Sequence, residues 1–236
     1  MSSARWDPEA PTPFDAQPWP DRLRARVVPP GEPRIHGYDA PTDLARHYRF
    51  SDAVLLALTG ELPDEPRGRA FELALICLAP VSVAEAPTHA AVLARVCDGS
   101  ASSVIATGAI ALAEQARVAV AEHAAFLAAA AAGSLTGDGH PAAAPVRAAL
   151  AEIGVQIHGV DHAPSYVAAL LAVLQACGLT RGDQLESAWM VARIGVVAAE
   201  AFATPGGGFK DYPLNVPPFA YSEAPRPDGS RSEGEP

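Results

Sequence analysis

Three side chains able to move protons crowd one short stretch, His158, Asp161 and His162, within Ile157-His158-Gly159-Val160-Asp161-His162-Ala163-Pro164. A carboxylate beside an imidazole can act as base and acid, for instance in removing a proton next to a carbonyl. On a regular helix, the i, i+4 spacing of His158 and His162 would put both rings on one face, where a metal ion can bridge them. Gly159 and Pro164 oppose a regular helix here, so no metal site is expected, and the plain alternative is a polar loop ahead of a helix opened by Pro164. His89 and His123 fall in helical patterns, where a histidine more often makes a structural hydrogen bond. His140 sits in the Gly-rich run 133–145 and reads as solvated. The run Gly206-Gly207-Gly208-Phe209-Lys210 could approach a phosphate through backbone amides, but no strand precedes it and a linker is the better reading. Cys77, Cys97 and Cys177 are an odd number, widely spaced in apolar helical patterns. They read as buried thiols in a reducing compartment, not as a disulfide framework.

The elements that must position these groups are almost all helical. Phe50, Val54, Leu55 and Leu58 share a face, with Ser51 placed to cap its start and Gly60 to end it. Asp64, Glu65 and Pro66 suit a helix N-terminus, and Phe71, Ala74, Leu75 and Leu78 line one side of that helix. Pro87 opens a helix to about Cys97, Asp98-Gly99-Ser100 turns, and Val104, Ile105, Gly108, Ala109 and Leu112 resume helical spacing. Gly108 and Ala109 permit close helix approach. Alanine dominates Val118 to Ala132, which favours helix but buries little area per residue. A weak helix runs to about Ile153, and Pro164 opens the next, with Val167, Leu170, Leu171 and Leu174 inside and Gly178 at its end. Thr180 with Asp183 resembles a capping box. The last helix predicts a stripe of Leu185, Trp189, Ala192 and Val196, stopped by Pro205. Eight to ten helices with short loops, and no convincing alternating strand, predict an all-α architecture.

The chain has 236 residues, 49% hydrophobic and 19% charged, enough for one domain with a substantial core. The net charge of −10 disfavours nucleic acid and anionic membrane. The densest basic cluster, Arg22, Arg24 and Arg26, lies in the Pro-rich segment 1–33 that also holds Trp6 and Trp19. Residues 1–33 read as an arm without an apolar leader, and residues 222–236 as a disordered tail. No run approaches the roughly 20 apolar residues of a membrane span. The expected location is cytoplasmic.

The stretch Arg34-Ile35-His36-Gly37-Tyr38-Asp39, then Asp43-Leu44-Ala45, then Phe50 through Leu58-Thr59-Gly60-Glu61-Leu62-Pro63, resembles the N-terminal signature of the citrate synthase and citryl-CoA lyase family. In that family an RGY-type turn, a short "DLA" helix and a helix ending in "LTGELP" follow one another. The resemblance covers roughly 34–120 and 155–221. Pro87 to Arg95 is similar to the family's "STxAARL" helix, and Ala188-Trp189-Met190-Val191-Ala192-Arg193-Ile194-Gly195 to its "FALARVAGW". The resemblance implies a large-domain helical bundle over 34–221 with a reduced small-domain segment at about 117–163. It implies acyl-CoA as a substrate rather than a covalently bound cofactor, and pairing as a homodimer or as a heteromer with a citrate-synthase-like homologue.

In that family an Asp removes a methyl proton from an acyl-CoA, one His stabilises the enol and another assists at the oxaloacetate carbonyl. The family turn "GPLHGG" falls on Ala113-Glu114-Gln115-Ala116-Arg117-Val118, so the enol-stabilising His is Ala116 here. The "PNVD" segment falls on Pro164 to Val167, putting Val167 at the base. A rival register sets Val160-Asp161 on its "VD" and restores the base as Asp161. The run from Ile157 to Ala163 resembles "IPGFGHP" and places His162 at the oxaloacetate histidine. Pro217 and Phe219 take the terminal arginine positions. The expected protein is a non-catalytic or regulatory subunit, a pseudoenzyme. The alternative is an active acyltransferase or lyase using Asp161 and His162, with substrate carboxylates held by Arg117, Arg193 or Lys210.

Overall fold

The computed structural model describes residues 33–206. The expectations for residues 1–32 of the N-terminal arm, for Gly207 to Lys210, for Pro217 to Tyr221 and for the tail 222–236 lie outside the described residues. The fold is mostly helical, as the pattern predicts. In chain order the elements are β1 (Arg34–Ile35), β2 (Tyr38–Asp39), a π-helical turn (Ala40–Leu44), α1 (Ala45–His47), α2 (Phe50–Thr59), α3 (Glu65–Leu78), α4 (Ala86–Val96), α5 (Ala101–Glu122), α6 (Ala124–Ala131), a 3-10 turn (Pro141–Ala143), α7 (Ala144–Glu152), α8 (His158–Asp161), α9 (Tyr166–Ala176) and α10 (Gly182–Ala203). The chain forms two compact units. Of the described residues, one holds those up to Leu75 together with His123–Ser187, and the other holds Ile76–Glu122 together with those from Ala188 to Gly206.

The first unit opens on a hairpin that the absence of an alternating strand pattern did not foretell. Strands β1 and β2 pair antiparallel, Arg34 against Asp39 and Ile35 against Tyr38. The two residues between them, His36 and Gly37, both have positive φ, +49° and +89°. That is the geometry of a two-residue I′ turn. Asp39 then accepts from the Thr42 N–H at 2.8 Å and starts the π-helical turn.

Helix α2 begins differently from the expectation. Its cap residue is Arg49, whose N–H donates to the Asp52 carboxylate at 2.9 Å. Arg49 holds the extended backbone of a cap residue, so Ser51 lies inside the helix, buried, with a hydroxyl that has no partner among the described residues. Gly60 ends α2 at φ +84°, its N–H on the Leu56 carbonyl at 2.7 Å. Asp64 accepts the Arg67 N–H at 2.9 Å and opens α3 as predicted. Leu55, Leu56, Phe71, Leu170, Leu171 and Leu174 are fully buried in this unit. Each such side chain contributes about 1.5–3 kcal/mol by leaving water. Helix α9 is buried without a break from Ala168 to Leu174, as an all-round apolar helix must be.

Two further predicted features shift by small amounts. The alanine-rich run is not one helix, because α5 stops at Glu122, His123 leaves helical geometry, and α6 restarts at Ala124. The His123 ring meets the Ser165 hydroxyl at 3.1 Å. At the start of α10, the expected Thr180–Asp183 pair is replaced one residue later, with the Arg181 N–H donating to Gln184 Oε1 at 3.1 Å. Asp183 instead pairs with the Arg181 guanidinium at 2.8 Å.

The second unit is built on α4 and α5 with the later part of α10. Val104, Gly108, Leu112, Ala116 and Val120 form the buried stripe of α5. Gly108 sits where a Cβ would come 2.9 Å from Val197 and 3.1 Å from Ala91, so the expected close approach is real at this position. On α10 the expected stripe drifts, since Arg193 and Val197 are buried whereas Ala192 is half-buried and Val196 is exposed. A polar network engages Arg193 and turns that residue inward. Helix α5 also corrects the reading that no run reaches a membrane span. It has 22 residues and is apolar enough by composition, with 28% of its most apolar window buried. Ile105, Ile110 and Val118 on it are exposed.

Candidate functional site

Helix α8 is a single turn pressed into the first unit by its two middle residues. Gly159 and Val160 are buried, and a Cβ on Gly159 would meet the Ala172 methyl of α9 at 3.1 Å and the Ala130 methyl of α6 at 3.5 Å. The glycine that argued against a helix is therefore the residue that lets this turn sit close to two alanine-rich neighbours. The flanking residues, His158 and Asp161, are left exposed, and His162 is half-buried at the C-terminal end.

The loop 137–140 covers this turn. The His140 N–H donates to the Ala163 carbonyl at 2.9 Å, and a Cβ on Gly139 would lie 2.3 Å from the Asp161 carbonyl oxygen. Arg147 on α7 donates to the Val160 carbonyl at 3.3 Å. The His140 Nδ1 accepts the Ala142 N–H at 3.1 Å and starts the 3-10 turn. His162 Nδ1 is hydrogen-bonded to the Gly137 carbonyl. A carbonyl only accepts, so Nδ1 is the donor, and in the neutral ring Nε2 then carries the lone pair.

The structure brings His158 and His162 together, their ring centroids 4.5 Å apart in an edge-to-face arrangement with an interplanar angle of 71°. It does not bring Asp161 against either ring. The Asp161 carboxylate is exposed and makes no hydrogen bond or ion pair among the described residues. No group of three or more His, Cys, Asp or Glu side chains suited to a metal ion occurs among the described residues.

Elsewhere, Ala116 lies fully buried on α5 in the second unit, and Val167 is half-buried on α9 in the first. Arg117 is exposed and paired with Glu114, Nε to Oε2 at 2.9 Å. Arg193 is only 6% exposed and is already committed within the second unit. It donates to Glu85 at 2.8 Å, to Gln115 at 2.9 Å and to the Pro80 carbonyl at 2.9 Å, and its guanidinium carbon lies 5.1 Å from the centre of the Trp189 ring. Against its own partial burial, Glu85 is held below the ordinary carboxylate range by the Ser82 N–H, the Gln115 amide and Arg193. Lys210 lies outside the described residues.

One hollow is not announced by any of the motifs above. Arg46, His47, Tyr48, Arg49, Asp52, Pro63, Asp64 and Glu65 line an open depression of about 490 Å³ where α2 and α3 begin. Arg49 pairs there with Asp52 at 3.3 Å and Glu72 at 2.9 Å, and burial notwithstanding, these carboxylates keep its guanidinium firmly charged. The i, i+3 spacing of Arg49 and Asp52 was the available signal. The three cysteines differ from one another: only Cys177 is buried, Cys77 is half-buried and Cys97 is exposed. Cys97 escapes burial because it follows the last turn of α4, ahead of the left-handed Asp98 at φ +56°.

No protein-family model, no curated protein and no solved structure matches the chain.

Proposed function

We propose that the chain is a citrate-synthase-like protein that serves as a non-catalytic or regulatory subunit of an acyltransferase or lyase complex of that type. The observation that carries this reading is Ala116. By resemblance it occupies the position of the enol-stabilising histidine, and its methyl group is wholly buried on α5. A methyl group cannot donate to a developing enolate, and stabilising that charge is the largest demand of the reaction. The exposed apolar residues of α5, Ile105, Ile110 and Val118, offer a surface for a partner subunit. Acyl-CoA would be the substrate of the assembly rather than of this chain alone.

The test is calorimetric titration of the chain with acetyl-CoA, oxaloacetate and citrate, alone and with a co-purified homologue. The expected result is no turnover by the chain alone and binding or turnover once the homologue is present. Condensation or citryl-CoA cleavage by the single chain overturns the reading.

One observation favours the alternative of an active enzyme. His162 donates from Nδ1 to the Gly137 carbonyl, which in the neutral ring turns the basic Nε2 away from that bond, and the Asp161 carboxylate beside it in sequence is exposed. Under that alternative, Asp161→Ala and His162→Ala abolish turnover with helix content unchanged.

A further inference from the structure

We propose that His158 and His162 form a two-histidine site for a divalent transition metal of the zinc and copper class, open at its remaining positions. The proposal stands apart from the reading of the chain as a subunit and uses neither acyl-CoA nor a partner.

The first argument is distance. A metal bound about 2.0–2.1 Å from one nitrogen of each ring lies about 3.2 Å from each centroid, so two ligands at roughly 90–109° have centroids about 4.5–5 Å apart. The observed separation is 4.5 Å. The rings are therefore already about as close as two cis ligands, before any metal arrives.

The second argument is the proton. A metal needs the lone pair of a neutral ring nitrogen, and metal-binding histidines characteristically donate their other N–H to a carbonyl or carboxylate. His162 does so, to Gly137, which leaves Nε2 as the nitrogen available to a ligand. His158 is exposed and makes no hydrogen bond among the described residues, so its nitrogens are uncommitted. The bond to Gly137 limits the freedom of one ring, and packing of Gly159 and Val160 fixes the turn that carries both.

The third argument is surroundings. Asp161 adjoins His162 in the chain and Asp138 adjoins Gly137, and both are exposed carboxylates whose field favours a cation. The Arg147 guanidinium that reaches this turn is occupied with the Val160 carbonyl. No third His, Cys, Asp or Glu completes a closed set among the described residues, so water or a small anion fills the other positions. Imidazole pairs suit Zn²⁺, Cu²⁺ and Ni²⁺ rather than Mg²⁺ or Ca²⁺, which take oxygen.

The experiment uses the full chain and the metal ion alone. Zn²⁺ is titrated by calorimetry, and Cu²⁺ is added at substoichiometric amounts for electron paramagnetic resonance. The expected result is one Zn²⁺ per chain and a Cu²⁺ spectrum with hyperfine structure from two imidazole nitrogens. His158→Ala and His162→Ala each weaken binding by at least about tenfold, the scale for losing a partner in a metal site, and each leaves one nitrogen coupling. Circular dichroism of both variants stays at the wild-type signal, because neither side chain is buried. Two results overturn the proposal: no binding by the wild-type chain, or wild-type affinity retained by the double variant, which would place the metal on another of the chain's histidines.

Discussion

Arg67 and Cys177 hold each other twice within the first unit. The Arg67 Nε donates to the Cys177 carbonyl at 2.7 Å, and the Cys177 thiol donates to the Arg67 carbonyl at 3.6 Å. The Cys177 carbonyl is one of the acceptors that the end of α9 leaves without a helical partner. Gly178 follows at φ +96°, and a Cβ there would lie 2.3 Å from the guanidinium of Arg67. The glycine is thus required both by the backbone turn and by the arginine lying over it.

This pairing separates the three thiols. Burial pushes the Cys177 thiol up to about 12, with Arg67 opposing only in part. A short pulse of iodoacetamide at pH 8, read by peptide mass spectrometry, should label exposed Cys97 first and Cys177 last, the latter only after unfolding. The linkage sign comes from the same shift. Above the ordinary thiol value of 9.0 the unfolded chain loses a proton that the folded chain keeps, so Cys177 makes stability fall as pH rises past about 9.

Two glycines in helices should respond to alanine with opposite signs. Gly68 on α3 lies where a Cβ would come 2.4 Å from Asp52 Oδ1, and Asp52 is held in place by Arg49. The helix preference for alanine is worth about 1 kcal/mol, and overpacking a fixed neighbour costs about 1–3 kcal/mol. Gly68→Ala should therefore destabilise by up to about 2 kcal/mol. Gly195 on α10 has nothing within 4 Å of its would-be Cβ, so Gly195→Ala should stabilise by about 0.5–1 kcal/mol. Urea midpoints at constant slope check both.

Glu85 should govern part of the acid response. Its carboxyl titrates below its ordinary value of 4.5 in the folded chain, so its stabilising contribution is full above that value and is lost as pH falls through the lower, folded one. Glu85→Gln should flatten stability against pH below about 4.5. Glu85→Ala should cost about 2–3 kcal/mol at pH 7, less than the 3–5 typical of a fully buried pair, because Glu85 remains partly exposed. Chemical denaturation from pH 3 to pH 7 distinguishes the two variants.

The apolar face of α5 can be tested through Ile110, which is 73% exposed. Ile110→Glu should change stability by no more than about 0.5 kcal/mol, as surface substitutions do. It should also weaken association of the chain with itself or with a homologue in sedimentation velocity. A large loss of stability would mean that this face is covered within the chain.

Local signals were legible where one residue type decides the geometry. Gly60 and Gly178 end helices because their φ values are positive, and Asp64 accepts the N–H three residues on, whereas the helix expected to open at Pro164 is capped by Ser165 instead. Features set by partners far along the chain were not legible. Nothing near Arg193 announces that it turns inward, because Gln115, Glu85 and Pro80 lie 78, 108 and 113 positions away and only folding assembles them. The histidine pair was legible as a spacing and obscured by Gly159, whose role depends on Ala130 and Ala172 rather than on its own backbone preference.

Neither compact unit is a continuous piece of the gene. The first requires residues on both sides of Ile76–Glu122, and the second resumes at Ala188, inside α10. A cut in the exposed connection 132–140 would therefore not release an autonomous half, since the severed pieces would each retain part of the first unit. The natural dissection of this protein is by complementing fragments, in which two polypeptides restore one fold, rather than by expression of separate domains.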